Sequence, residues 1–366
     1  MLIRTHLQEI RTGRGLSAAD LARRVGVSRQ TIYAIEDGSF VPNTAVALQL
    51  SRVLDVNVEE IFSVAEERAA EPISADLLPG SSAGRGQLAR VCLVNERIVA
   101  VPTSFLPAYL PPADGVIEST TRSRVSLKLP AGLPGAGERL LIAGCDPALS
   151  VLHDALAASK IEIITVPTSS HRALQWLKQG RIHAAGSHLQ DRISGDYNLP
   201  IIRRLLPESS VRVVTFATWE QGLVVTKGNP KGIRSIADLA LRNVTFTNRE
   251  KGSGSRDLLD KGLDEFGIPP KRIRGYDSIA QGHFAAAHTV AAGSADCCIA
   301  PRSVSLTFGL TFIPLAVERF DLSFSRSSLE LPAARALLDL LSRSTLRKRL
   351  QCIAGYDTAH TGEVLI

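Results

Sequence analysis

Residues 16–62, LSAADLARRVGVSRQTIYAIEDGSFVPNTAVALQLSRVLDVNVEEIF, carry the most decisive pattern in the chain. Ser17 is placed to cap a helix, with Asp20 three residues on as the capping-box acid and Leu21, Ala22 and Val25 on one face. Gly26 follows at once, where a tight turn needs a left-handed residue. Ser28 caps the next helix, Arg29 to Asp37, whose inner side is Ile32 and Ile35. Ser28, Arg29, Gln30, Thr31 and Tyr33 are left facing outward, a set suited to base edges and phosphates. Beyond the Gly38-Ser39 break, Pro42 and Asn43 open another helix. Ala47, Leu48, Leu50, Val53 and Leu54 are expected to complete a small core closed by Val58, Ile61 and Phe62. Upstream, Leu2, Ile3, Leu7 and Ile10 recur at helical spacing.

Charge within this stretch is divided. Residues 1–35 hold six Arg against Glu9 and Asp20, a balance of +4, while residues 36–66 hold Arg52 against six acids, a balance of −5. A positive end and a negative far side would dock on DNA in one orientation.

Here the run resembles the phage-repressor/Cro (XRE) class of helix-turn-helix domains, through the Ala22-x-x-x-Gly26 spacing, the S-R-Q-T-I helix start and the D-V-N-V-E-E-I-F close. The resemblance implies that Arg29, Gln30 and Tyr33 face the major groove. It places Arg14, Ser28, Thr31 and Asn43 on phosphates, with Ser17 at the neighbouring helix start. Double-stranded DNA is the implied partner, and reading of half-sites implies a homodimer or higher homo-oligomer.

Residues 65–86 mix charge, Pro, Gly and Ser without period and read as a tether. Residues 88–128 show short alternating runs, with Asn95-Glu96 as a hairpin turn and Pro102, Pro107, Pro111 and Pro112 as punctuation. From Glu138 strand and helix alternate: RLLIAG, then Asp146-Pro147 opening a helix, IEIITVPT, HRALQWLKQG, IHAAGSH, and on to HFAAAHTVAAG and SADCCIAP. Such alternation builds parallel sheets whose ligands sit at strand carboxyl ends. The fold class expected is therefore multidomain: an all-α helix-turn-helix domain at 1–66, a linker and small β-rich segment at 67–137, and an α/β domain at 138–366.

AGCDPALSVL, GSHLQD with GDYNLP, GLVVTKGNPKGIRSIADLA, NREKGSGSRDLLD, AAAHTVAAGSADCCIA and GYDTAHTGEV occur in order over residues 143–364. In them the stretch 138–366 resembles the periplasmic-binding-protein-like domains of type II, in the branch related to molybdate-binding proteins. Two lobes closing on a ligand are implied. The loop Gly252-Ser253-Gly254-Ser255-Arg256 would converge backbone N–H groups, hydroxyls and a guanidinium at a helix start, suiting an anion or carboxylate. Opposite it, Cys145 and Asp146, Ser169, Ser170 and His171, and His188 occupy three strand ends. A carboxylate at Asp146 would repel a bound oxyanion unless it turns back to cap its own helix; facing Arg256, it would suit a zwitterion.

Function classes narrow accordingly. No stretch has the ~20 apolar residues of a membrane span, and Arg4, Glu9, Arg11, Arg14 and Asp20 interrupt the region where a signal peptide needs an apolar run, so a cytoplasmic protein is expected. Five scattered cysteines without a C-x-x-C pair predict neither disulfides nor a zinc motif. No nucleophile elbow, H-E-x-x-H or P-loop is present, so neither catalytic residues, a cofactor nor a metal is expected. The reading is a transcription regulator whose DNA binding responds to a small anion or polar metabolite, a molybdate- or tungstate-like oxyanion or a small organic acid. The rival is an enzyme with an accessory DNA-binding module.

Overall fold

The computed structural model describes residues 3–64, 72–81, 83–85, 88–102, 113–133, 135, 137–157 and 159–366. The chain divides into two compact units, Met1–Glu71 and Pro72–Ile366. Leu2, the first part of the expected tether at 65–71, and Pro107, Pro111 and Pro112 lie outside the described residues.

The first unit runs β1 (Ile3–Thr5), α1 (Leu7–Gly13), α2 (Ala18–Val25), α3 (Arg29–Glu36), α4 (Thr44–Leu54), α5 (Val58–Ile61) and β2 (Phe62–Val64). Leu7, Leu21, Val25, Ile32, Ile35, Leu50, Leu54 and Ile61 form its core. Two expectations are corrected. Ile3 is not helical: β1 pairs antiparallel with β2, so backbone pairing across the unit overrides a helical spacing only four apolar residues long. Leu48 is half exposed rather than core, because the buried face of α4 turns on Leu50 and Leu54. Gly26 adopts φ 77°, and its N–H donates to Ala22 O at 2.9 Å, ending α2 within one residue.

The second unit opens with a closed barrel of β3 (Ile73–Leu77), β4 (Leu88–Val94), β5 (Arg97–Pro102), β6 (Gly115–Thr120) and β7 (Arg124–Lys128), ordered β3-β5-β4-β6-β7. The Asn95-Glu96 hairpin is present, with both residues at positive φ. β3 falls in the stretch read as patternless. Its five residues are too short to display a period, and Asp76, which reads as a loop residue, is held by Arg181 and Arg124. One barrel face is filled by Ala75, Val91, Ile117 and Leu127. The other, with Leu78, Cys92, Val99 and Val101, shares a core with Leu141, Leu174 and Leu177 of the domain that follows. Asp114 anchors this junction: it accepts from Arg139 at 2.7 and 2.9 Å and from Arg90 at 3.2 Å.

That domain contains β8 (Arg139–Gly144), α6 (Ser150–Ala157), β9 (Glu162–Pro167), α7 (Ser170–Lys178), β10 (Ala184–Ser187), α8 (Leu199–Leu205), β11 (Val211–Val225), β12 (Asn248–Arg249), α9 (Gly254–Glu265), β13 (Ile279–Ala280), α10 (His283–Ala291), β14 (Cys297–Pro301), α11 (Arg302–Thr307), β15 (Thr311–Ser325), α12 (Pro332–Ser342), α13 (Ser344–Gln351) and β16 (Tyr356–Asp357). Its sheet runs β14-β11-β15-β10-β8-β9, with β8 parallel to β9 and β10. Burial on both faces explains why Leu140 to Gly144 are continuously apolar.

β11 and β15, fifteen residues each and antiparallel, connect two lobes. At one end of β11, Val214, Phe216 and Trp219 pack with Leu140, Ile142 and Leu152; at the other, Leu223 and Val225 pack with Ile233, Phe246 and Leu259. The first lobe carries β8 to β10 and the carboxy-terminal helices, the second β12 to β14 with α9 and α10. Among the described residues no helix is long and apolar enough to cross a membrane.

Candidate functional site

On the first unit, Ser28, Arg29, Gln30 and Tyr33 stand exposed along α3 and Thr31 is half-buried. Ser28 accepts from Thr31 N–H at 3.0 Å and its hydroxyl lies 2.8 Å from that of Thr31, so both are engaged in the cap. Ser17 caps α2 by accepting from Asp20 N–H at 3.1 Å, and Asn43 caps α4 by accepting from Val46 N–H at 3.0 Å. Arg29 donates to the Tyr33 hydroxyl at 2.8 Å and lies over its ring, while Arg14 reaches Asp55 O at 3.2 Å. Sequence reasoning missed a buried ion pair. Arg11 donates to Glu36 at 2.6 Å, with the two side chains 10% and 5% exposed, so one member of each charge pool is spent internally.

The candidate ligand site lies where the lobes meet. A cleft of about 880 Å³ is lined by His171, Arg192, Asp257 and Lys261, and reaches inward to His188, Gly254 and Glu318. Contacts strap its mouth: Lys261 donates to Gln190 at 3.0 Å, and Arg192 pairs with Asp264 at 3.5 Å. Deeper in, the His171 N–H donates to Gly252 O at 3.3 Å. A Cβ on Gly254 would lie 2.5 Å from the His188 ring and from its carbonyl oxygen, so only glycine lets α9 approach the first lobe this closely.

Behind the cleft lies a buried polar cluster. Cys145 Sγ is 3.0 Å from His188 Nε2, and His188 Nδ1 is 2.6 Å from Glu318. Burial opposes the imidazolium charge of His188, but Cys145 and Glu318 outweigh it and raise its pKa to about 10. The His188 N–H donates to Ser170 Oγ at 3.3 Å, and Ser169 caps α7. The His188 ring lies edge-on to Trp219 at 5.2 Å, and Trp219 edge-on to His283 at 5.5 Å. Gln221 donates to Ser255 Oγ at 3.5 Å. Ser253 caps α9, whose opening N–H groups, on Gly254 and Ser255, have no intrahelical acceptor.

Two expected residues are placed differently. Asp146 turns back: one oxygen accepts from Ala148 N–H at 2.7 Å and from the Tyr356 hydroxyl. Burial raises its pKa to about 6. Its second oxygen is buried without a partner. Arg256 does not face Asp146; it pairs with Asp260 at 3.3 Å and stacks on Tyr276 at 3.9 Å, because the i,i+4 carboxylate lies on its own helix.

Near the lobe junction, Arg249 has a spare donor. It binds Glu250 through two nitrogens at 2.8 and 2.9 Å, and Nη1 is buried without a partner. Both nitrogens of His283, Trp219 Nε1, Gln221 Oε1 and Ser187 Oγ are likewise buried and unpartnered. Burial, with the charges of Arg249 and His188, holds the His283 pKa well below its ordinary value. Sequence reasoning gave Arg249, His283, Trp219, Gln221 and Glu318 no role.

Comparison with known proteins agrees with this architecture. Residues 153–342 match the PBP superfamily domain and residues 7–61 a helix-turn-helix family. The chain belongs to the PBP superfamily, with an XRE-type helix-turn-helix at its amino-terminal end. It is 31% identical over 234 residues to the "Uncharacterized protein YvgK" of Bacillus subtilis, covering 64% of this chain and 75% of that one. An "Uncharacterized HTH-type transcriptional regulator" of Methanothermobacter thermautotrophicus is 42% identical over 69 residues, 19% of this chain and 94% of its own. The sulfate-binding protein SubI of Mycobacterium tuberculosis aligns at TM-score 0.46 and 19% identity, over 60% of this chain and 86% of its own; a likeness that distant decides nothing about the ligand.

Proposed function

We propose that this protein is a cytoplasmic, dimeric transcription regulator that reads operator DNA with α3 and senses a small anion or polar metabolite between the lobes of its receptor. The observation that carries the reading is the set of unpartnered buried groups at the lobe junction: Arg249 Nη1, Trp219 Nε1, Gln221 Oε1 and Ser187 Oγ. Buried polar groups are rarely left unpaired, and a cluster of them beside a cleft is what a withheld ligand leaves behind. Arg249 and Trp219 offer donors, and the opening N–H groups of Gly254 and Ser255 add the positive end of a helix, which together suit an oxyanion or a carboxylate. Ligand-binding roles are assigned to Cys145, His188, Ser253, Gly254 and Ser255, with Arg249 taking the place expected of Arg256.

Melting the full-length chain against molybdate, tungstate, sulfate, phosphate and small carboxylates tests this. A ligand at a hundred times its Kd adds about 2.7 kcal/mol to the unit that binds it. Regulation further requires the ligand to bind free and operator-bound protein unequally. A panel in which nothing shifts the melt, or equal affinity in both states, removes the proposal.

An enzyme with an accessory DNA-binding module has one observation on its side. Cys145, His188 and Glu318 align as nucleophile, base and orienting carboxylate. Mass spectrometry of recovered ligand separates the two: a sensor returns it unchanged.

A further inference from the structure

We propose that Cys145, His188 and His283 form a binding site for one soft or borderline transition-metal ion, of the Zn(II) or Cu(I) kind, that ties the two lobes together. The spacing expected of a zinc motif is missing from the sequence, yet the fold assembles the ligands from three distant segments. One donor atom from each residue lies within 4.8 Å of the others, and all three residues are buried. Zinc bonds of about 2.3 Å to sulfur and about 2.0 Å to nitrogen put tetrahedral donors about 3.4–3.6 Å apart, so an ion would draw them in by up to about 1.4 Å. A thiol and two imidazoles, with no carboxylate oxygen among them, select against magnesium and calcium.

Two further observations point to an ion. Neither nitrogen of His283 has a hydrogen-bond partner, although the ring is fully enclosed. A Cys-His-Glu catalytic line leaves that ring idle; a metal ion employs it. Glu318, 2.6 Å from His188 Nδ1, holds this nitrogen as an N–H donor and aims Nε2 at Cys145, the carboxylate-histidine arrangement that supports a metal ligand once Nε2 has given up its proton. Uptake displaces to solvent whatever protons Cys145 Sγ and His188 Nε2 hold, as the ion takes their place.

Cys145 follows β8 and His188 follows β10, both in the first lobe, whereas His283 opens α10 in the second. The ion is therefore bonded across the junction and binds the closed arrangement better than an open one. Its effect on DNA binding rests on the regulator reading above; its existence does not.

Full-length protein stripped with chelator and titrated with Co(II) tests the site. One equivalent is expected to give the intense absorption of thiolate-bound cobalt, displaced by Zn(II). Cys145→Ser should lose that band. His283→Ala, which keeps the Cys145–His188 contact, should lose stoichiometric binding, and Glu318→Gln should weaken it about 10- to 100-fold. A wild-type protein without the band, or a His283→Ala protein that binds Co(II) as tightly as wild type, overturns the site, even if one of the oxyanions or carboxylates above still shifts the melt and DNA binding. Cobalt bands in a protein whose DNA binding ignores every small molecule support the site and count against the regulator reading instead.

Discussion

In the first unit Ser28, Arg29, Gln30 and Tyr33 stand in solvent on a single helix; in the second Cys145, His188, Trp219, Arg249 and His283 come from separate stretches of chain and are enclosed. Exposed groups can be exchanged with little cost to the fold and act only when a partner arrives. Enclosed ones are held by the fold, and their unpaired atoms are tolerated because the lobes around them are well packed. Recognition in the two regions should accordingly fail in different ways.

The largest effect is expected where the first unit departs from this rule. Arg11→Ala leaves Glu36 buried without its partner and should cost about 3–5 kcal/mol, enough to unfold so small a unit while the receptor transition stays in place. Calorimetry should show one transition lost, and replacing Glu36 by Leu in the same protein should recover much of the loss. An unmoved first transition would mean that the head tolerates a lone buried carboxylate.

The next effect belongs to the receptor and to pH. His183 accepts from Leu141 N–H at 2.9 Å, and burial lowers its pKa to about 4. The unfolded chain takes up this proton near pH 6.5 and the native one does not, so stability rises with pH across that window. About 3 kcal/mol present above pH 6.5 should be lost as the pH falls to about 4. His183→Asn, which still accepts but does not titrate, should flatten that part of the receptor's pH-melting curve; an unchanged slope would exclude His183 as its source.

Smaller effects sharpen the exposed side. Arg29→Ala and Gln30→Ala should each cost about 1–3 kcal/mol against the preferred operator and relax the base preference at one position. Arg14→Ala should weaken all duplexes alike and lower the salt slope by about one, as binding measured at several salt concentrations would show. Smallest is Arg256→Ala, about 1 kcal/mol of receptor stability with ligand binding retained, since its ion pair and its stacking on Tyr276 are local. Loss of ligand binding in that variant would return Arg256 to the site.

Legibility followed contiguity. α2, α3 and their caps could be read from residues 17–37 because Ser17, Gly26 and Ser28 each punctuate within a few residues of what they control. The strand-end rule that singled out Cys145 and His188 applies equally to Arg249, at the end of β12, and His283, at the start of α10. Neither is marked in the sequence, because β12 and β13, the strands that lead to them, are only two residues long. Trp219, Gln221 and Glu318 lie inside β11 and β15, where a period of two reports burial and not which residues a strand crossing between lobes brings opposite one another. Arg256 drew attention by belonging to a glycine-serine loop, and no linear pattern could show that Asp260 and Tyr276 would claim it.

The barrel of β3 to β7 has a practical corollary. Because Leu78, Cys92, Val99 and Val101 pack directly on Leu141, Leu174 and Leu177, cutting the gene before Glu138 would strip a greasy face bare and take Asp114 from Arg139, whereas cutting before Pro72 would not. A truncated receptor intended for crystals or calorimetry should therefore begin near Pro72, and one begun at Glu138 should be recovered from inclusion bodies.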